Sequence, residues 1–343
     1  MDIIKNKNML LKKGDKGSAV KELQALLKAH GFYTGVIDGD FGPGTEGCVK
    51  KYQASKGLSA DGVVGERTYR HLLEGVDTDR TGTSVSKPVV KETATPKNDT
   101  DDKLDMKGSY TTPEGLVIDR AYLDTDEYVT DYGKVEPINL FIHHTAGWEN
   151  PYSTVNSWNK DTRGRIATQY VMGGINMKSG EAKNDGVVVE CFPNNYLGWH
   201  TGKVGDFNKV SKLSAGIEIC NFGYAEKKGD KYYTYVGTEI PADMVCDLGY
   251  KFRGHQYWHK YTDKQIESLR LLILHIKSIY PKIDLAGGLP RLLKEGVSPA
   301  DAFEYNENCN YGRELGVWSH TNIRKDKFDV YPDERLVEML KNL

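Results

Sequence analysis

Three stretches of this chain carry side chains able to hold a metal ion and move protons. They are Ile138-Asn139-Leu140-Phe141-Ile142-His143-His144-Thr145-Ala146-Gly147, Leu213-Ser214-Ala215-Gly216-Ile217-Glu218-Ile219, and the run from Ser319 to Pro332 that contains His320, Asp326, Lys327 and Asp329. A hydrolytic zinc ion takes three protein ligands of nitrogen, oxygen or sulfur type and keeps one position open for water. Nine histidines offer many combinations. His255 and His259 stand four apart, as on one face of a helix, but Gln256 occupies the place of the general-base glutamate in H-E-x-x-H, and Gly254 precedes the pair. That stretch reads as a solvated aromatic loop. The dispersed residues are better candidates. Neighbouring side chains of a strand face opposite sides of its sheet, so only one of His143 and His144 can point at a given site. Near the end of the chain a histidine, a lysine and an aspartate share a short loop ahead of a final helix, and such loops commonly hold ligands.

The elements that must position these groups are legible in part. Leu140-Phe141-Ile142 is a short apolar run suited to a buried strand ending in histidines. Further strands are expected at 167–173, 186–192 and 215–219. Thr262-Asp263-Lys264-Gln265 is a capping box, followed at helical spacing by Ile266, Leu269, Leu272, Ile273, Ile276 and Ile279 and stopped at Tyr280-Pro281. Strands mixed with long helices predict an α/β domain, a mixed β-sheet flanked by helices.

The chain has 343 residues, enough for two domains. Its 38% apolar and 27% charged residues and net charge of -2 suit ordinary globular folding and give no sign of a nucleic-acid partner. Five scattered cysteines argue against a disulfide framework and read as reduced. No apolar run reaches the length of a secretion signal or a membrane span, so synthesis in the cytoplasm without a signal peptide, and no membrane insertion, are expected. Residues 76–112, rich in Thr, Ser, Asp and Lys, cannot bury enough surface to fold and are expected to be a flexible linker between units at 10–75 and 113–343.

In the first unit Val20, Leu23, Leu26 and Leu27 recur at helical spacing, and a repeat follows. Asp38-Gly39-Asp40-Phe41-Gly42-Pro43-Gly44-Thr45 and Asp61-Gly62-Val63-Val64-Gly65-Glu66-Arg67-Thr68 share the pattern D-G-x-x-G-x-x-T, with Asp-Gly suited to a tight turn and the threonine to an N-cap for the next helix. A small three-helix domain is expected. Over residues 10–75 these features resemble the peptidoglycan-binding domain type 1, and that resemblance implies affinity for the stem peptide or glycan of the bacterial wall.

The three stretches of the second unit, taken together over residues 115–340, resemble the type 2 N-acetylmuramoyl-L-alanine amidase family, which includes peptidoglycan recognition proteins. The resemblance implies the type 2 amidase fold and a Zn2+ cofactor. FIHHTAG matches the strand whose first histidine is a ligand, implicating His143. SHTNIRKDKFD matches the motif G-H-x-D-I-x-x-x-x-K-x-D with a small deletion, implicating His320 and Asp329 as the other ligands, with Asp326 as competitor to Asp329, and Lys327 as the stabiliser of the oxyanion. SAGIE matches S-I-G-I-E, implicating Glu218 as general base. Tyr196-Leu197-Gly198-Trp199-His200-Thr201-Gly202 is similar to the A-W-H-A-G loop, implicating Trp199 and His200 in substrate binding. Where some family members have a catalytic tyrosine this chain has Thr168, with Tyr170 close by.

The implied reaction is hydrolysis of the amide bond between N-acetylmuramic acid and L-alanine in bacterial peptidoglycan. The combination is that of a phage endolysin, made in the host cytoplasm and acting on the wall after release. A bacterial autolysin, a non-catalytic wall receptor and a wall peptidase are the rival readings.

Overall fold

A computed structural model describes residues 10–73, apart from 34 and 57, and 104–343, apart from 162–164. The chain divides into two units, one within 1–94 and one within 95–343.

The first unit holds helices α1 (Ser18–Ala29), α2 (Pro43–Ser55) and α3 (Glu66–Leu73). Val20, Leu23, Leu27, Phe41, Val49 and Tyr52 form its core. The repeat has a physical origin in two buried glutamines. The Gln24 side-chain amide donates to Asp38 Oδ1 (2.8 Å), Asp40 O (3.1 Å) and Thr45 Oγ1 (3.2 Å), and its oxygen accepts from Gly39 N (2.9 Å). Gln53 repeats the pattern with Asp61 Oδ1 (2.8 Å), Val63 O (2.9 Å), Thr68 Oγ1 (3.1 Å) and Gly62 N (2.9 Å). Gly39 and Gly62 sit at φ of 80° and 78°, the left-handed region where glycine is favoured. The repeated threonines are not N-caps. Pro43 opens α2 after the N-cap Gly42, so Thr45 lies inside the helix and its hydroxyl faces Gln24; Thr68 lies likewise inside α3.

The second unit begins with β1 (Asp105–Thr111), which pairs antiparallel with β2 (Val117–Tyr122). Residues 105–111 therefore belong to a sheet and not to the expected linker: cross-strand bonds to β2 supply what their composition lacks. The linker stretch before residue 104 lies outside the described residues. β3 (Asn139–His144), α4 (Pro151–Trp158), β4 (Tyr170–Met172), β5 (Val188–Glu190) and β6 (Ser214–Ile219) follow. A second group of strands comes next: β7 (Tyr224–Lys228), β8 (Lys231–Thr234), β9 (Glu239–Ile240), β10 (Val245–Phe252) and β11 (His255–His259). Helices α5 (Asp263–Ile279), α6 (Leu289–Lys294), α7 (Pro299–Ala302) and α8 (Glu307–Asn310), strand β12 (Val317–Ser319), then α9 (His320–Ile323) and α10 (Glu334–Lys341) complete the unit.

The main sheet has the order β1-β2-β5-β4-β6-β3-β12, with β4, β6, β3 and β12 mutually parallel. This is a mixed α/β architecture. The central strands are buried on both faces. Leu140, Ile142, Ile217 and Ile219 share a core with Leu269, Leu272, Ile273 and Ile276 of α5, each worth roughly 1.5–3 kcal/mol of burial. The Thr262–Gln265 capping box closes the start of α5, and Gln265 also donates to Gly173 O (3.0 Å) and Cys220 O (3.1 Å), tying the helix to the ends of β4 and β6. Val171 of the opposite face joins Tyr152 and Val155 of α4 in a second cluster.

Strands β7 to β11 form a separate antiparallel sheet, order β10-β11-β7-β8-β9. His255 and His259 lie in it, so their segment is a strand and not a loop: pairing with β10 and β7 satisfies its backbone. His255 stacks on Tyr224 with ring centroids 3.8 Å apart, and His259 Nδ1 accepts from Phe222 N at 3.2 Å. Among the described residues neither belongs to a cluster of metal-binding groups. All five cysteines are free. Among the described residues no helix is long and apolar enough to cross a membrane.

Candidate active site

Parallel strands collect functional groups at their carboxyl ends. His143 is the penultimate residue of β3, Glu218 is its register partner in β6, and His320 directly follows β12. Paired residues project to the same face, so His143 and Glu218 stand side by side while His144 turns to the other face, where its Nδ1 lies 3.3 Å from Tyr261 OH. Asn322 fixes the start of α9: its oxygen accepts from Ser319 N (3.0 Å), and its amide donates to Ala302 O (2.8 Å) and Glu304 O (2.9 Å). Thr321 N then donates to Asp329 O at 2.9 Å, bringing the loop back beside His320.

The result is a convergence of three donor atoms. His143 Nδ1 and His320 Nδ1 are 3.0 Å apart, His320 Nδ1 and Asp329 Oδ2 2.9 Å, and His143 Nδ1 and Asp329 Oδ2 3.4 Å. Ligands at about 2.0–2.1 Å around a tetrahedral zinc lie roughly 3.4 Å from one another, so this spacing fits such an ion. Among the described residues it is the one group of three or more His, Cys, Asp or Glu close enough to share a metal. The His320 ring makes no compensating bond on its far side, since Nε2 is buried without a partner. Leaving that nitrogen unpaired costs about 1–3 kcal/mol, and Nδ1 is held toward the cluster by Asp329. Asp326, the competitor to Asp329, is exposed and paired with Arg324 (2.6 Å).

The electrostatics suit a cation. Burial and the neighbouring His320 push the His143 pKa down to about 4, leaving a neutral imidazole able to offer a lone pair at neutral pH. Burial alone would raise Asp329, but His320 and His143 hold its carboxyl well below the usual range. Burial and the charge of Asp329 raise Glu218 well above an ordinary glutamate, with Lys327 opposing them.

His143, Glu218, His320, Lys327, Asp329 and Trp199 all line one open cleft of about 1020 Å³. Trp199 packs edge-on against Tyr132 (6.2 Å between centroids) and tilted against Phe207 (5.0 Å), forming an aromatic wall. His200 borders the same cleft but is engaged on both ring nitrogens, Nδ1 with His143 Nε2 (2.9 Å) and Nε2 with Ser214 Oγ (3.1 Å). Were His143 Nδ1 to hold a metal, its Nε2–H would donate to His200, whose own N–H would donate to Ser214. His200 is thus braced against His143 while it lines the cleft, where the sequence reading expected it to meet substrate. Gly216 makes room for it: a Cβ there would meet His200 Cγ at 3.1 Å. Thr168 lines the cleft, whereas Tyr170 pairs in register with Ile217, on the opposite face, and is fully buried.

Trp148, Trp158 and Arg324, also in the cleft wall, went unnoticed in the sequence because they belong to loops and a helix face without a spacing signature. Asn322 was equally silent, although its place three residues after Ser319 is that of a cap partner.

Comparison with known proteins bears on both units. Residues 16–72 match the family described as "Putative peptidoglycan binding domain", and residues 134–291 the family described as N-acetylmuramoyl-L-alanine amidase. A spore cortex-lytic enzyme of Bacillus cereus is 38% identical over 84 residues, 23% of this chain and 32% of that protein. The N-acetylmuramoyl-L-alanine amidase CwlM of Mycobacterium tuberculosis is 48% identical over 56 residues, 16% of this chain and 14% of its own. The chain thus spans about a third or less of the length of these relatives. The crystal structure of an AmpD derivative is similar at 15% identity and a TM-score of 0.35, over 64% of this chain and 92% of that one. Two separate segments of the chain are thus similar to known families, residues 16–72 to the peptidoglycan binding domain and residues 134–291 to the N-acetylmuramoyl-L-alanine amidases.

Proposed function

We propose that this protein is a zinc-dependent N-acetylmuramoyl-L-alanine amidase that hydrolyses the amide bond between N-acetylmuramic acid and L-alanine in bacterial peptidoglycan. One observation carries the reading: His143 Nδ1, His320 Nδ1 and Asp329 Oδ2 converge within 3.4 Å in the cleft that Glu218 also lines, with His143 and Glu218 inside the segment matched by the amidase family. His143, His320 and Asp329 would hold the ion. Zinc bound there supplies a Lewis acid that lowers the pKa of water from about 15.7 toward about 7 and polarises a carbonyl. Glu218 takes the proton of the water that attacks the lactyl carbonyl and returns it to the departing L-alanine nitrogen, a task suited to a carboxyl whose pKa burial has raised. The Lys327 ammonium balances the charge that develops on the carbonyl oxygen. His200 keeps the His143 ring in the tautomer that leaves Nδ1 free. Trp199 offers an apolar wall to the glycan or peptide.

The first unit is proposed to hold the enzyme on the wall, and the whole to act as a phage endolysin, made in the host cytoplasm and reaching peptidoglycan on release. Mass analysis of digested, purified peptidoglycan tests the activity. New L-alanine amino termini on full-length stem peptides are expected. D-alanine or diamino-acid termini would refute the bond assignment, and zinc uptake without cleavage would leave a receptor. Lysis of an expressing host only when a membrane pore is co-expressed tests the endolysin role; lysis without the pore would argue for another route to the wall.

A further inference from the structure

Strands β7 to β11 do more than extend the domain. The turn between β10 and β11 consists of Arg253 and Gly254, joining the register pair Phe252 and His255. Both turn residues have positive φ, 49° and 86°. Such two-residue hairpins favour Asn or Asp followed by Gly, because a larger L side chain in the left-handed region costs roughly 1–2 kcal/mol. An arginine kept there invites the question of what its side chain does.

The side chain is nearly buried, 6% exposed, and its guanidinium is enclosed by the loop that carries two of the three converging donors. Nη1 donates to the backbone oxygens of Arg324 (3.2 Å), Lys325 (2.7 Å) and Lys327 (2.7 Å), and Nη2 to Thr321 O (2.9 Å). Nη2 also pairs with Glu304 Oε2 at 3.0 Å. Thr321 directly follows His320, and Lys327 precedes Asp329 by two residues. One planar cation therefore gathers carbonyls from both ends of the segment between the two donors. Four carbonyl dipoles aimed at one point repel one another without a positive charge, and only a forked donor set reaches them all. The aromatic neighbours add to the brace: Phe328 packs on Tyr224 (5.5 Å) and on His255 (5.6 Å) of the same small sheet.

We propose that Arg253 is a positioning residue for the metal site: the β7–β11 sheet delivers a guanidinium that folds residues 320–329 into ligand geometry and sets the place of Lys327. The inference rests on the metal reading of His143, His320 and Asp329.

Full-length wild type, Arg253→Ala and Arg253→Lys are stripped of metal, and zinc affinity is measured by competition with a chromophoric chelator. Turnover of a soluble muropeptide is followed in parallel. Arg253→Ala is expected to weaken zinc binding about 10- to 100-fold. It should lower kcat by at least about 10-fold, with KM moving less than about 3-fold, since loop geometry and not substrate contact is lost. Millimolar guanidinium is expected to restore part of both losses. Arg253→Lys, which keeps the charge but not the fork, should show the same defects and serves as the test if the alanine variant fails to fold. Wild-type zinc affinity and kcat in the lysine variant would overturn the proposal, as would losses that guanidinium does not relieve in either variant. Wild type that takes up no zinc would remove the metal reading and this inference with it; normal uptake by wild type and variants alike would remove only the role of Arg253.

Discussion

Buried polar groups are treated in opposite ways in the two units. In the first, Gln24 and Gln53 are saturated: the two amide N–H groups are shared among four acceptors at Gln24 and three at Gln53, and each side-chain oxygen takes the N–H of a turn glycine. In the second, the side chains of His143, His320 and Asp329 are pointed at one another, and the outer nitrogen of His320 is buried with no partner. A saturated network fixes a structure and asks for nothing more. Two imidazole nitrogens and a carboxylate oxygen converging on one point are the arrangement that a cation would need. The first pattern marks architecture, the second a place for a ligand.

The strongest way to break that comparison is to remove one of the converging groups. His320→Ala or Asp329→Ala is expected to abolish zinc retention and to cut amidase turnover by roughly 1000-fold or more, because the activation of water goes with the ion. Metal content and wall-digestion rate measure it, and wall binding by the first unit should be untouched. A variant that keeps its zinc and its rate would mean that the donors converge for packing alone. Next in size, Glu218→Gln should retain zinc and lose about 100-fold or more in kcat, the usual worth of a positioned base. Equal loss of zinc in this variant would make Glu218 a ligand instead.

On the architectural side, Gln53→Leu strands Gly62 N and the acceptors of its turn, and should lower the stability of the first unit by about 1–3 kcal/mol. Gln24→Leu should cost a similar amount. Thermal melts of that unit read both, with muropeptide turnover unchanged; indifference to either change would show that the repeat is held by its apolar core. A comparable effect, spread over a range of pH, concerns His259, a buried histidine outside the cluster. Burial lowers its pKa from 6.5 to about 4, so between those values the unfolded chain binds a proton that the folded one refuses. Its contribution is complete above pH 6.5 and declines as pH falls toward 4, by up to about 1.4 kcal/mol per unit. Urea midpoints from pH 7 to 4.5 should fall with that sign, and His259→Asn should flatten the curve. An unchanged slope would assign the acid sensitivity to other groups.

Much of the site was legible because its residues sit at element ends with marked neighbours. The apolar run before His143 and the short loop after His320 are local signals, Glu218 was reached through the resemblance of its SAGIE stretch, and the structure brings these groups to one place. The matched family segment at 134–291 includes His143 and Glu218 but ends before His320, Lys327 and Asp329, so fold closure joins the two halves. Residues 105–111 were misread because a strand held by its neighbour needs no apolar composition of its own. That both ring nitrogens of His200 are engaged could not be read from its motif, which says only that it borders the groove.

By itself the sequence determined the two units, the α5 helix with its capping box, the repeated turns and which residue types could hold a metal, since periodicity, capping and turn chemistry act within a few residues. Residue spacing left open which face of β3 meets the site and whether Asp329 or Asp326 joins the histidines, where only the resemblance pointed to His143 and Asp329; tertiary structure decided both, and alone showed that Arg253 grips a loop about seventy residues away. Those outcomes depend on strand register and on carbonyls brought together from distant segments, and neither is encoded in the spacing of any one stretch.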